Sequence, residues 1–511
     1  MPRFAATVSQ LQDAVAHATS PAAHLPTARY APHRPERTLL YSLVQAHWPD
    51  FLARREVEDR PLPEYVREEF ETYLRCGVLE HGFLRVVCEH CRAERLAYSC
   101  KKRGLCPSCG ARRMAESARH LVDEVFGPRP VRQWVLSFPY PLRFLFAGKP
   151  DAIGPVLGIV HRVIASWLAD QAGVDRASAQ CGAVTLIQRF GSALNLNVHF
   201  HMLWLDGVYD ANVEPPRRKP RLRRAHAPTS AQLTQLANTI AHRVCRHLSR
   251  RGWLEGEDES VFLSDSAGSD DGMDGLRMSS MTYRIATGRD AGRKVVTLQT
   301  LPGAGSLEGE AGKVGGFSLH AGVAAEAHES HKLEKLCRYI TRPAISEQRL
   351  SISPQGRVRY QLKTPWRNGT THVEWDAVDF IAKLAALVPP PRAHLTRFHG
   401  VFAPNANLRA QLTPSGRGRR PAGDAAPVDA SAHDEPRSPE QKRRAMSWAQ
   451  RLKRVFSIDV TTCAHCGGAV RIVASIEEPT AIRAILAHFE KHGALEQAHY
   501  RPAARAPPPA A

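Results

Sequence analysis

No stretch of this 511-residue chain reaches the roughly 18 consecutive apolar residues that span a bilayer. The opening MPRFAATVSQLQDAVAHATS has neither a long apolar core nor a clear cleavage site. Neither a membrane span nor a secretory leader is expected, and the cytosol is the expected compartment. Glycine loops for nucleotides are missing too. Gly303, Gly305 and Gly309 leave the second gap of a dinucleotide fingerprint one residue too long, with Glu308 where the third glycine belongs. Gly312-Lys313 is followed by valine and lacks P-loop spacing, so no ATPase is expected. Acidic side chains are the scarcer charge, 50 against 69 Lys plus Arg, for a net +19. That excess favours polyanionic partners, because each cation that neutralises a phosphate releases a condensed counterion.

What is present is the composition of a folded, multidomain chain, 43% hydrophobic and 23% charged. Apolar spacing predicts helices between 38 and 75, over 114–126, and from Ser230 to Arg251. The last has Leu233, Leu236, Ile240, Val244 and Leu248 on one face. Thr229 and Gln232 stand at capping-box spacing before it, and Gly252 can end it. Strands are expected at 183–190, 196–206, 282–287 and 294–300. The fold class is α+β. The expected organisation is a tail over 1–37, a helical and zinc-ribbon domain over 38–128, and a central domain over 129–345 with an antiparallel sheet flanked by helices. An extension follows over 346–412, then a disordered linker over 413–444, a small Cys-x-x-Cys module over 445–495 and a tail over 496–511.

Eleven cysteines are present, six of them between Cys76 and Cys109. Cys88-x-x-Cys91 and Cys106-x-x-Cys109 are separated by 14 residues, one short of the usual range for paired zinc knuckles, and four thiolates would make a closed, structural tetrahedral site. Cys76 and Cys100 lie close enough in sequence to replace one of the four. Lys101, Lys102 and Arg103 between the knuckles suit phosphate contact, as do the cations of the 214–226 loop, including Arg217, Arg218 and Lys219.

The segment LNLNVHFHMLWLD (Leu194 to Asp206) carries the chemistry. Side chains on a strand alternate faces, so Val198, Phe200, Met202 and Trp204 form an apolar face while His199 and His201 share the other. Two imidazoles on one face can chelate one divalent ion. A hairpin through GSALN (Gly191 to Asn195) brings Gln188 near them as a third ligand. Imidazoles admit several metals, so its identity is open. Residues 330 to 342 (SHKLEKLCRYITR) read as a helix with Leu333, Leu336, Cys337 and Ile340 buried. Tyr339 lies at the edge of that stripe, on the side of Lys332 and Lys335. A phenol flanked by cations can be activated as a nucleophile, though a half-buried tyrosine is also an ordinary structural residue.

These strings together resemble one family. SCKKRGLCPSCGARRMAE, GAVTLIQRFGSALNLNVHFHMLWLDGVY, LCRYITRP, YQLKTPWRNGTTHVEW, LVPPPRAHLTRFHGVFAPNANLR and RVFSIDVTTCAHCGG are similar to the rolling-circle transposases of insertion-sequence family ninety-one. The resemblance runs from about residue 38 to 490. It implies a His-hydrophobic-His (HUH) endonuclease domain behind an N-terminal zinc-binding domain. It implies that His199 and His201 hold a catalytic Mg2+ or Mn2+ beside structural Zn2+, and that Tyr339 attacks the phosphodiester to give a 5′-phosphotyrosine. Single-stranded or hairpin DNA ends are the implied partner, and a homo-oligomer is compatible. Some family members carry two tyrosines four residues apart; here those positions hold Lys335 and Pro343. A related replication initiator would use the same site, whereas a binding-only zinc-ribbon protein would form no covalent adduct. Near the C-terminus, Cys463-x-x-Cys466 is half a zinc site, which His488 and His492 on a following helix could complete.

Overall fold

Thr38 starts the first helix: its hydroxyl accepts from the Tyr41 amide at 3.2 Å, satisfying one of the donors that a helix N-terminus leaves unpaired. Helix α1 (Leu39–Val57) packs on α2 (Glu64–Leu74), with Trp48 stacked on Phe70 at 4.1 Å. The computed structural model describes residues 28–29, 37–97, 104–212, 220–256, 262–269, 271–299, 312–416, 458–459, 463 and 465–491. Cys100, the basic runs at 101–103 and 217–219, the linker beyond 416, His492 and the C-terminal tail lie outside the described residues.

Next along the chain come β1 (Phe83–Cys88), β2 (Glu94–Ala97) and α3 (Pro107–His120), the last continuing into a wider turn over Leu121–Phe126. Then follow β3 (Val131–Ser137), α4 (Tyr140–Gly148), α5 (Ile153–Gln171), β4 (Gly182–Phe190), β5 (Leu196–Leu205) and α6 (Ser230–Arg250). Strand β6 (Val296–Gln299) precedes β7 (Gly312–Val314), β8 (Phe317–Ala325) and α7 (Ser330–Thr341). Strands β9 (Leu350–Ile352), β10 (Val358–Gln361) and β11 (Thr370–Trp375) lead to α8 (Ala377–Leu387) and β12 (Thr396–Gly400). Last are β13 (Val470–Ile476) and α9 (Pro479–Lys491). The protein is a mixed α+β fold with antiparallel sheets.

The central sheet has the order β7-β8-β3-β5-β4-β12, antiparallel throughout. The expected hairpin is present, with β4 and β5 joined through Gly191–Asn195. Both faces of the sheet are covered. On one, Val198, Phe200, Met202 and Trp204 pack against Val156, Val160 and Ile164 of α5 and against Ile240, Val244 and Leu248 of α6. On the other, Leu203 and Leu205 meet Leu333, Cys337 and Ile340 of α7 and Leu121 and Val125 beyond α3. Helix α7 therefore lies over the histidine face because its own apolar stripe has the same sheet to bury against. Thr229 and Gln232 form the expected capping box of α6.

Three expectations need correction. Residues 282–287 form no strand: Tyr283 sits at φ 57° and only Arg284 bridges, to Lys294. Strand β6 instead pairs with β11, 70-odd residues on, in a second sheet of order β6-β11-β10-β9. Strand β3, which sequence periodicity misses, is buried at most positions and so shows no alternation. Finally, Pro150–Gln171 is long and apolar enough to cross a membrane, although His161 and Arg162 interrupt its run. In the fold its apolar side chains belong to the core under β5, which accounts for their hydrophobicity without a bilayer.

Candidate active site and metal centres

On the histidine face of β5, His201 lies opposite Val135 and Leu186, and His199 opposite Ser137 and Gln188. Both imidazoles are buried, at 9% exposed for His199 and 5% for His201. Their Nε2 atoms face each other at 3.1 Å. Each Nδ1 is engaged elsewhere. His199 Nδ1 is 2.9 Å from the Asn197 carbonyl oxygen, which can only accept, so that nitrogen carries the proton. His201 Nδ1 is 2.9 Å from Gln133 Nε2, which donates to it and leaves the ring proton on Nε2, directed at the His199 Nε2 lone pair. Turned to present its oxygen, that amide accepts from Nδ1–H and leaves Nε2 with a free lone pair.

In that second arrangement the two Nε2 lone pairs face each other at 3.1 Å, and a cation held against both would relieve their repulsion. Metal–nitrogen bonds of about 2.1 Å meeting near a right angle put the two nitrogens about 3.0 Å apart, so the pair is spaced to chelate. Burial also holds both rings neutral, with His199 pushed down to about 4 and His201 to about 3; Arg342 lowers both further. Gln188 lies on the same face as His199, its Nε2 donating to the Ile340 carbonyl at 2.8 Å. Its Oε1 is buried with no hydrogen-bond partner among the described residues. An orphaned carbonyl oxygen beside two facing imidazoles fits a third metal ligand.

Tyr339 stands at the edge of this pair. Helix α7 buries Leu333, Cys337 and Ile340 and leaves Tyr339 38% exposed, its ring 5.9 Å from that of His201. Among the described residues, Arg342 and Lys363 stand over its ring, each at 4.4 Å. Lys332, expected on this side, instead pairs with Glu329 at 3.2 Å. Burial lowers the Lys363 ammonium, while Tyr339 opposes that shift. A cleft of about 540 Å³ opens in front, lined by Tyr339, Arg342, Arg349, Lys363, Trp366 and Arg367. Trp366 lines this cleft, whereas Trp375 is a core residue, 2% exposed. Sequence reading missed Gln133, Arg342 and Lys363 as site residues. Arg342 was findable, being one helical turn beyond Tyr339; Gln133 comes from β3 and Lys363 from the loop after β10, and no local pattern reveals what those elements pack against.

The cysteines do not assemble as their spacing suggests. Cys88 and Cys91 do not share a site with Cys106 and Cys109. Cys106 and Cys109 meet Cys76, with Sγ atoms 3.7 and 3.8 Å from the Cys76 sulfur. Cys106 is the N-cap of α3 and Cys76 follows α2, so the cluster joins the start of one helix to the end of the other. Cys88 and Cys91 meet Cys463 and Cys466, and His488 is not in that group. The reason is β-pairing: β13 runs antiparallel to β1 from Phe83–Ile476 to Cys88–Val470. Both clusters are consistent with structural zinc sites.

Residues 43–138 match the transposase zinc-binding domain family (Zn_Tnp_IS91), and residues 182–409 match a transposase family (Y2_Tnp). No curated protein and no solved structure matches the chain.

Proposed function

Because the chain belongs to the IS91-type transposases, with their zinc-binding domain and Y2 transposase domain, we propose that it cuts and rejoins one DNA strand through Tyr339. The observation that carries this reading is the convergence of Tyr339 on the buried His199–His201 pair, with Arg342 and Lys363 over the tyrosine ring. The HUH endonuclease domain of this reading spans 129–345, behind a zinc-binding domain over 38–128.

The chain's own residues divide the work. His199, His201 and Gln188 form the donor set for Mg2+ or Mn2+. That ion, when bound, supplies Lewis-acid polarisation of the scissile phosphate. Tyr339 Oη attacks phosphorus, forming the Tyr–O–P bond while the bond from phosphorus to the 3′ oxygen breaks. The phenol proton passes to solvent, and the departing 3′ oxygen takes up a proton to become a free 3′-OH. The product is a 5′-phosphotyrosine, and attack on it by a 3′-OH reverses the step without ATP. Arg342 and Lys363 offset negative charge on the phenolate and on the phosphate oxygens. Trp366 offers a stacking surface for an unpaired base in the cleft. With Lys335 and Pro343 four residues either side, Tyr339 acts alone, in succession, or with a second subunit. The substrate in this reading is a single-stranded or hairpin end of a mobile element.

The test is a denaturing gel with labelled single strands carrying element ends, in Mg2+ or Mn2+, for wild type and Tyr339→Phe. A protein–DNA adduct in wild type only is the expected result. Adduct in both moves the nucleophile elsewhere, and adduct in neither, despite tight binding, leaves a DNA-binding protein without strand chemistry.

A further inference from the structure

The C-terminal knuckle has no part in the strand chemistry, yet its sulfurs are placed with care. Cys463 and Cys466 lie beyond both matched regions, which end at residues 138 and 409. Their Sγ atoms nevertheless join those of Cys88 and Cys91, all four within 4.8 Å of one another. Cys88 to Cys466 is 3.5 Å and Cys91 to Cys463 is 3.6 Å. Four sulfurs about 2.3 Å from a central zinc, at tetrahedral angles, stand about 3.8 Å apart. A disulfide would need about 2.05 Å, so these are not oxidised pairs.

The surrounding backbone is built for the same purpose. On the C-terminal side, Cys463 donates its amide to the Gly468 carbonyl at 2.8 Å, and Gly467 donates to Cys463 at 2.9 Å, closing a tight turn. Gly467 sits at φ 73°, a conformation that glycine adopts without strain. At Gly468 a Cβ would come within 2.7 Å of His90 Cβ, 3.2 Å of Cys466 Sγ and 3.3 Å of Cys88 Sγ. Only glycine lets the two knuckles close on each other. The Glu89 amide donates to the Ala469 carbonyl at 2.8 Å, tying one knuckle to the other through the main chain.

We propose that Cys88, Cys91, Cys463 and Cys466 hold one structural zinc ion, a site assembled from two ends of the chain that clamps the C-terminal segment onto the N-terminal zinc-binding domain. Among the described residues the apolar contact at this junction is small: Leu79, Phe83 and Ile482 are buried, with Leu96, Ile476, Ile485 and Leu486 partly buried against them. A core of that size stabilises little by itself, and in such modules metal binding supplies the folding free energy. The ion would close a loop of 372 residues between Cys91 and Cys463. Cys76, Cys106 and Cys109 then belong to a separate zinc site, so the chain carries two. The proposal does not depend on the strand chemistry proposed above.

The test uses the full-length protein. Native mass spectrometry counts zinc per chain in wild type, in the double variant Cys463→Ser/Cys466→Ser, and in Cys106→Ser/Cys109→Ser. Each double variant is expected to lose one zinc and keep the other. A Cys463→Ser/Cys466→Ser protein with the wild-type zinc content would overturn the proposal. Because a variant can fail to fold, a second measurement keeps the native cysteines. A specific protease site inserted after Ala425 is cut, and the two fragments are followed by gel filtration. They should co-elute until EDTA is added and then separate; separation before EDTA, or co-elution after zinc is stripped, refutes the clamp.

Discussion

Gln133→Leu isolates the hydrogen bond that orients one metal ligand. Gln133 is buried on β3, and its carboxamide is 2.9 Å from His201 Nδ1. Binding a cation at His201 Nε2 requires the proton on Nδ1, and only an acceptor at Gln133 rewards that tautomer. With leucine there, the Nδ1–H is buried without a partner, at a cost of about 1–3 kcal/mol. The metal-free protein escapes this cost by moving the proton to Nε2, where it can donate to His199 Nε2 3.1 Å away. The penalty therefore falls on the metal-bound state. At 1.4 kcal/mol per decade it weakens metal affinity by roughly 5- to 150-fold, in line with the 10- to 100-fold typical of such partners. Gln133→Glu supplies a charged acceptor and should tighten binding. The assay is a Mn2+ titration by isothermal calorimetry, with adduct formation measured across the same Mn2+ range. Leucine should shift both curves to higher Mn2+ and leave the adduct yield at saturating metal within a few-fold of wild type. If Gln133→Leu and Gln133→Glu both titrate like wild type, His201 does not bind metal through Nε2, and the site geometry has been misread.

Arg342 and Lys363 flank the Tyr339 ring at 4.4 Å. Arg342→Ala should slow adduct formation by about 10²- to 10³-fold, the usual loss for one electrostatic group at a reacting phosphate, with Tm little changed; an unchanged single-turnover rate would remove Arg342 from the chemistry. Acid should destabilise the fold through the stacked His161–His399 pair, whose rings lie 4.7 Å apart. Burial lowers His161 to about 3 and His399 to about 4. As pH falls below the unfolded value near 6.5, the unfolded chain takes up protons that the folded one refuses. Stability present above that pH is thus lost progressively towards pH 4, by about 1 kcal/mol for each ring near pH 5.5. Thermal melts from pH 7.5 to 5.5 check this, and His161→Phe/His399→Phe should flatten the slope; an equal slope in both proteins would assign the acid sensitivity to other groups.

Much of this protein is determined locally, and its sequence shows it. Alternation along β5 separates Phe200 and Trp204 from His199 and His201 because a strand's period of two is a property of the backbone. The stripe of Leu333, Cys337 and Ile340 specifies both that α7 is a helix and which side is buried, leaving Tyr339 at the margin. Cys-x-x-Cys pairs announce metal because each folds into a turn by itself. What only the tertiary structure decided is which of these local pieces meet. Residues 282–287 carry strand-forming side chains, yet β6 found its partner in β11. Cys106 and Cys109 were taken by Cys76 within a shared buried cluster, and Cys88 and Cys91 by Cys463 and Cys466 through the β1–β13 pairing. Lys363 reached Tyr339 from the loop that follows β10 of a separate sheet. Spacing along a chain constrains neighbours within a turn or two, whereas partners hundreds of residues apart are chosen by the faces that helices and sheets must bury against one another.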